Sequence, residues 1–122
     1  MTDQHFQVAI IGAGPAGMAA ACTTTKAGLH TIVIDDQKDS GGQVYRNLKA
    51  NNSLSPTYLG DSYYAGTKLS NDFAACGANY WTDCTVWQIT SSHEIALVSR
   101  GKAELITADY IIIATGAIER AI

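Results

Sequence analysis

Several things are scarce in this chain, and each scarcity excludes a class of protein. Charged residues are only 16% of the 122, and the net charge is −3. Lys26, Lys38, Lys49, Lys68 and Lys102 are scattered singly, so there is no basic stripe for a nucleic-acid backbone. The three cysteines, Cys22, Cys76 and Cys84, form no C-x-x-C and have no metal-ligand company. They read as buried or half-buried free thiols rather than a metal or disulfide framework. Their odd number without paired spacing points to a reducing cytoplasm. Long unbroken apolar runs are also missing. Residues 8–29 come nearest, but Gly12, Gly14, Pro15 and Gly17 interrupt them, and Met1 to Gln7 holds no Lys or Arg. Neither a membrane span nor a signal sequence is expected. Finally, no cluster of nucleophile, general base and acid stands out.

What is present is concentrated near the start. Gly12-Ala13-Gly14-Pro15-Ala16-Gly17 reads G-x-G-x-x-G, and Val8-Ala9-Ile10-Ile11 runs directly into it. A second apolar run, Thr31 to Ile34, ends in Asp35-Asp36, with Asp35 eighteen residues beyond Gly17. Strand, glycine turn, helix and acid at the second strand together form the fingerprint of a dinucleotide-binding βαβ unit. Gly12 is read as the tight turn, Gly14 as the point where backbone approaches phosphate, and Gly17 as the close contact of helix and sheet. The helix N-terminus offers N–H groups and partial positive charge to an anion.

With 47% apolar residues, the 122-residue chain has the composition and length of a single globular domain. The first strand is expected over Phe6–Ile11 and the first helix over Pro15–Ala27, with Gly28 as its cap. Residues 44–61, with Asn51, Asn52, Pro56 and Gly60, read as loop. A second helix is expected over Asp61–Cys76, with Ala65, Leu69, Phe73 and Cys76 on one face and Gly77 at its end. The remainder reads as β. Thr85–Ile89 and Ile95–Val98 are strands, Arg100-Gly101-Lys102 is a turn, and the chain changes direction after Leu105-Ile106. A last buried strand spans Asp109–Ala114. The fold class expected is α/β, Rossmann-like, a parallel βαβ sheet with helices plus an antiparallel meander.

His5, His30 and His93 stand at predicted strand ends or turns without an accompanying acid or cysteine cluster, and read as surface residues. Tyr58, Tyr63, Tyr64 and Tyr80 read as packing or interface residues. Gly41-Gly42 is either a second close approach to a ligand or simply a turn. Tyr45 and Arg46, just beyond it, are candidates to face a cofactor or an anionic substrate.

Three features fall in order: G-A-G-P-A-G at 12–17, G-G-Q-V-Y-R at 41–46 and I-I-I-A-T-G-A at 111–117. This set resembles the pyridine nucleotide-disulfide oxidoreductase superfamily, flavoproteins with two dinucleotide-binding domains. The finer similarity is to the FAD/NAD(P)-binding subunits of opine oxidases, hydrogen cyanide synthase and related amino-acid dehydrogenases. It rests on Asp35–Arg46, on L-G-x-x-Y-x-x-G at 59–66 and on A-T-G-A-x-E-R at 114–120.

The resemblance implies FAD at the first fingerprint, with NAD(P) in a second domain of the whole protein. It implies pyrophosphate contacts at Gly12, Gly14, Pro15, Ala16 and Gly17, and ribose contacts at Asp35 or Asp36. Gly42, Gln43 and Arg46 would run beside the cofactor, Thr85-Val86 would meet the adenine through backbone groups, and Thr115-Gly116 would close over it. Chemistry would be hydride transfer at the flavin with a small-molecule amine or amino-acid substrate, catalytic residues unassigned, and partner oxidoreductase subunits. The family continues with an NAD(P) domain and a returning FAD segment, so residues 1–122 read as an N-terminal part of the FAD domain, inactive alone and prone to self-association. Two alternatives stay open: a non-catalytic nucleotide-binding or assembly module, and a thioredoxin-reductase-like NAD(P)H flavoenzyme. No cysteine pair follows the double glycine to support the latter.

Overall fold

The computed structural model describes residues 4–37 and 56–116. Strand β1 (Gln4–Ile11) leads through the glycine turn into helix α1 (Pro15–Lys26) and then β2 (Thr31–Ile34). After the intervening segment come α2 (Pro56–Ala75), β3 (Asn79–Trp81), β4 (Cys84–Ile89), β5 (Glu94–Ser99) and β6 (Lys102–Ile113). The six strands form one sheet in the order β3-β2-β1-β6-β5-β4. β1, β2, β3 and β6 run parallel, while β4, β5 and β6 form an antiparallel meander.

The sheet is covered differently on its two faces. On one side Val8, Ile10 and Val33 pack with Met18 and Ala21 of α1 and Phe73 of α2. The small residues of α1 let it lie close to the strands. On the other side Ala9, Ile11, Ile32 and Ile34 share a core with Cys84, Ile95 and Leu97, so the β4–β5 hairpin folds across that face. The central strands are therefore apolar on both faces, which is why β2 is buried at all four positions. Burying one such Ile side chain contributes about 1.5–3 kcal/mol.

Local chemistry sets the boundaries. Pro15 occupies the start of α1, where no amide hydrogen is needed. The helix ends with Gly28 N–H donating to Thr25 O and Leu29 N–H to Thr24 O, with Gly28 at φ +82°. That is a Schellman close, which requires the left-handed residue glycine supplies. Thr24 Oγ1 lies 2.8 Å from Thr31 Oγ1, tying the helix end to the start of β2 and giving a buried hydroxyl its partner. The amides of Gln7 and Val8 both donate to His30 O, and Phe6 packs in the same core as Ala9 and Ile11. At the β5–β6 turn Arg100 (φ +52°) and Gly101 (φ +80°) join Ser99 to Lys102, as a two-residue type I′ hairpin requires.

The structure corrects five expectations. α2 begins at Pro56, not Asp61: Pro56 takes the first helical position, and Gly60 is tolerated inside the first turns. β3 is an added strand, only three residues long. β6 runs unbroken from Lys102 to Ile113, with no change of direction after Ile106. Its last part is not buried, since Tyr110 and Ile113 are 69% and 61% exposed. The histidines are exposed as expected, but His5 has an acid beside it, with Nε2 3.1 Å from Asp109 Oδ1 across the β1–β6 pair.

Candidate functional site

The register of three parallel strands builds the site. Ile11 of β1 is level with Ile34 of β2 and with Ile113 of β6. All three strands therefore end at one edge, and the residues that follow, Gly12, Asp35 and Ala114, emerge side by side. Gly12 N–H donates to Ile34 O at 2.8 Å, and Ala114 N–H donates to Ile11 O at 2.8 Å. β1 is also where the connections diverge, with β2 on one side and β6 on the other. In open α/β sheets a crevice beyond the carboxyl ends of the strands at such a point is where ligands bind.

The three fingerprint glycines meet different surroundings. Gly12 has φ +111°, and a Cβ there would stand 2.4 Å from Ala114 O. A Cβ at Gly17 would stand 1.8 Å from Gly12 O and 3.5 Å from Ile10 Cγ2. Both positions are closed by packing within the protein. A Cβ at Gly14 would meet nothing within 4 Å. Its missing side chain serves no contact inside the protein and leaves open space on the outer side of the turn.

The electrostatics favour an anion there. Gly14 is the N-cap of α1, makes no side-chain cap, and the first turn carries no acidic residue. Pro15 and Ala16 are exposed in that turn, and Met18 N–H is the amide that bonds back to Gly14 O. The positive end of the helix is thus not compensated from within its own first turn.

Asp35 and Asp36 are not equivalent. Asp35 is half-buried at the end of β2; its N–H donates to Trp81 O, and its carbonyl accepts from Cys84 N–H, each at 2.9 Å. Two neighbouring strands thereby fix its backbone beside the glycine turn. Asp36 is exposed and accepts a hydrogen bond from Gln37 Nε2 at 3.2 Å. Thr115 lies against the turn, its Cα 3.0 Å from a Cβ built on Gly12, and Gly116 has φ +78°. Val86 packs against the hairpin-side core, two residues beyond the Cys84–Asp35 bond.

The structure thus brings together Gly12, Gly14, Pro15, Ala16, Gly17, Asp35 and Thr115-Gly116, with Val86 on the adjoining strand. Gly41, Gly42, Gln43, Tyr45 and Arg46 lie outside the described residues. Sequence reasoning misses Trp81 and Ala114, whose carbonyls shape the surroundings of Asp35 and Gly12. The run Asn79-Tyr80-Trp81 after Gly77 is the available signal for the former. A separate open depression of about 290 Å³ is lined by Tyr80, Trp81, Thr82, Ser99, Arg100 and Glu104. It includes none of the fingerprint residues, and the strand-end crevice is the better founded site. No group of three metal-ligating side chains occurs among the described residues.

Comparison with known proteins bears on this arrangement directly. Residues 6–122 match the family model described as pyridine nucleotide-disulphide oxidoreductase. The chain belongs to that family. It is 34% identical over 126 residues to the A subunit of opine oxidase from Agrobacterium tumefaciens (strain Ach5), covering 97% of this chain and 25% of that protein. The protein of the same name from Rhizobium meliloti is 35% identical over 125 residues, covering 96% of this chain and 24% of that protein. The chain therefore spans about a quarter of the length of these relatives. In fold it is similar to the crystal structure of L-proline dehydrogenase from P. horikoshii, at TM-score 0.72 and 23% identity over the whole of this chain and 25% of that one. The chain is thus an oxidoreductase-family domain of Rossmann-like α/β fold. No described helix is long and apolar enough to cross a membrane.

Proposed function

We propose that residues 1–122 form the N-terminal part of the FAD-binding domain of a flavin-dependent oxidoreductase acting on an amine or amino-acid substrate of the opine type. The observation that carries the reading is the common edge at which β1, β2 and β6 end. It sets an open glycine turn, an uncapped helix N-terminus and a fixed carboxylate-bearing residue side by side.

The residues present fit a dinucleotide. Gly14 and the first turn of α1 would receive the pyrophosphate, since space is open there and the helix end is positive. Asp35 would accept the adenosine ribose hydroxyls, and we favour it over Asp36 because β3 and β4 fix its backbone against the turn. Val86 would meet the adenine through its backbone, Thr115-Gly116 would border the cofactor from β6, and Gly42, Gln43 and Arg46 would complete the contacts. When bound, FAD would supply the hydride-transfer redox chemistry. This chain's part is to hold and orient the cofactor. NAD(P), partner subunits and a cytoplasmic setting belong to the whole protein in this reading.

Chromatography of the cofactor released by heat from the purified protein tests the proposal. FAD is expected. FMN or NAD as the main species would overturn it, and a colourless protein holding ADP would favour a nucleotide-binding assembly module instead.

A further inference from the structure

The depression between β3 and the β5–β6 turn has walls from separate strands. Trp81 ends β3, Ser99 ends β5, and Glu104 stands near the start of β6. These walls are fixed to one another. Asp83 N–H donates to Gln37 O at 3.0 Å and Cys84 N–H to Asp35 O at 2.9 Å, so the link from β3 to β4 is tied to the end of β2. Cys84 pairs with Ser99, and Ser99 with Lys102 across the tight turn that carries Arg100. Trp81 is half-buried; it packs against the hairpin-side core, its ring nearly perpendicular to that of Phe6 at a centroid distance of 6.5 Å. The space of about 290 Å³ would hold roughly ten waters at about 30 Å³ each, which is room for an amino acid.

Two opposite charges border this space. Arg100 and Glu104 both line it, and among the described residues neither takes part in an ion pair or a side-chain hydrogen bond. Register explains the position of Glu104. It stands opposite Leu97, which is buried in the hairpin-side core, so its side chain shares the core-facing side of the meander and is half-buried at the rim. A carboxylate there has lost part of its hydration and gains from a cation brought by a ligand. Arg100 is exposed at the turn, and its guanidinium stays charged at any ordinary pH.

We propose that this depression binds a small zwitterion with an apolar body, an amino acid in chemical class. Arg100 takes the carboxylate, Glu104 takes the ammonium, and the open side of Trp81 packs against the body. A simple anion would meet Glu104 and a simple cation would meet Arg100, so only a ligand carrying both charges satisfies both walls. The site is separate from the strand-end crevice, since none of the fingerprint residues line it, and its occupation does not depend on which nucleotide the crevice holds. The depression is open and Arg100 is solvated. Affinity is therefore modest, in the millimolar range, and falls as salt screens the two charges.

The chain has two tryptophans, so Trp87→Phe leaves Trp81 as the sole indole reporter; Trp87 is 61% exposed and does not line the depression. Trp81 emission is titrated with L-leucine, N-acetyl-L-leucine and L-leucinamide, which share one body and differ in charge, and calorimetry repeats the titrations on the unaltered chain. Leucine should saturate in the low millimolar range, with each derivative at least about tenfold weaker. Glu104→Gln should erase the discrimination against N-acetyl-L-leucine, and Arg100→Asn the discrimination against L-leucinamide; asparagine suits the left-handed φ of that turn. The proposal is overturned if neither method registers leucine up to about 20 mM, or if the three ligands bind alike. It is also overturned if ADP displaces leucine, since the depression would then be part of the cofactor crevice. Because the three-ligand comparison is made by calorimetry on the unaltered chain, a variant that fails to fold does not spare the idea.

Discussion

Adding one methyl group at each fingerprint glycine should separate folding from binding. Ala is normally the better helix former by about 1 kcal/mol. At Gly17 that gain meets a Cβ placed 1.8 Å from Gly12 O, a backbone atom that cannot swing aside. Overpacking of this kind costs about 1–3 kcal/mol or more, so Gly17→Ala should be destabilised by at least about 1 kcal/mol. Gly12→Ala adds a left-handed φ to a 2.4 Å contact with Ala114 O and should be worse. Gly14→Ala should behave differently. Its φ is −75° and its Cβ meets nothing. The small loss of capping and the gain from a stiffer unfolded chain should leave stability within about 0.5 kcal/mol. In binding the ranking reverses. The new methyl at Gly14 fills the approach to the turn, and losing one charge-assisted bond of about 1.5–3 kcal/mol means at least tenfold weaker FAD binding. Urea denaturation and fluorescence titration with FAD read the two quantities on the same preparations. A Gly17→Ala protein as stable as the parent would refute the packing argument. A well-folded Gly14→Ala protein with undiminished FAD affinity would show that the phosphates do not sit at this turn.

Two further outcomes are expected. Asp35→Ala should weaken FAD binding at least about tenfold, roughly 1.4 kcal/mol; unchanged affinity, with Asp36→Ala deleterious instead, would transfer the ribose role to the neighbour. Replacing Cys22, Cys76 or Cys84 singly by Ala should leave any reduction of the flavin in the whole protein intact. Loss of turnover in a folded variant would show a dithiol in the chemistry.

The part of the fold that is legible in the sequence is the part where two signals coincide. β1 and α1 are bounded by a glycine or proline, β2 is a short apolar run ended by Asp35-Asp36, and the limits of all three lie within two residues of the expected ones. The errors fall where one signal speaks alone. Pro56 and Gly60 read as breakers, but proline at the first helical position breaks nothing. β6 reads as two pieces because its environment changes along its length. Up to Thr107 it pairs with β5, and beyond that only the parallel partner β1 continues to Ile113. Thr107 and Asp109 carry the polar character of that change, and both lie by His5. A single hydropathy window takes such a change of partner for a change of element. At the site, the glycines are legible because their spacing is a covalent fact. The packing that separates Gly14 from Gly12 and Gly17 is not, because Ala114 lies about a hundred residues further along the chain.

The same upper half of β6 bears on how residues 1–122 should behave as an isolated polypeptide. On the side away from β1, Ala108 N–H donates to His93 O and the Ala108 and Asp109 carbonyls lie within hydrogen-bond distance of His93 Nδ1, but from Tyr110 to Ile113 no described strand pairs with that side. Tyr110 and Ile113, 69% and 61% exposed, stand on this segment. An unpaired edge beside apolar side chains is a template for another chain. Each 100 Å² of apolar surface covered there would contribute about 2.5 kcal/mol. In our reading, FAD would gain phosphate and ribose contacts from the βαβ unit but little cover at the flavin end, and would have to order the surrounding loops as well. The isolated polypeptide should therefore bind FAD weakly and pair with itself, the pairing weakened by a charge at Tyr110. Sedimentation and FAD titration on Tyr110→Lys and the unaltered polypeptide decide the matter. A monodisperse monomer with submicromolar affinity would mean that these residues form a complete cofactor module, and that the open edge of β6 is not an unmet pairing surface.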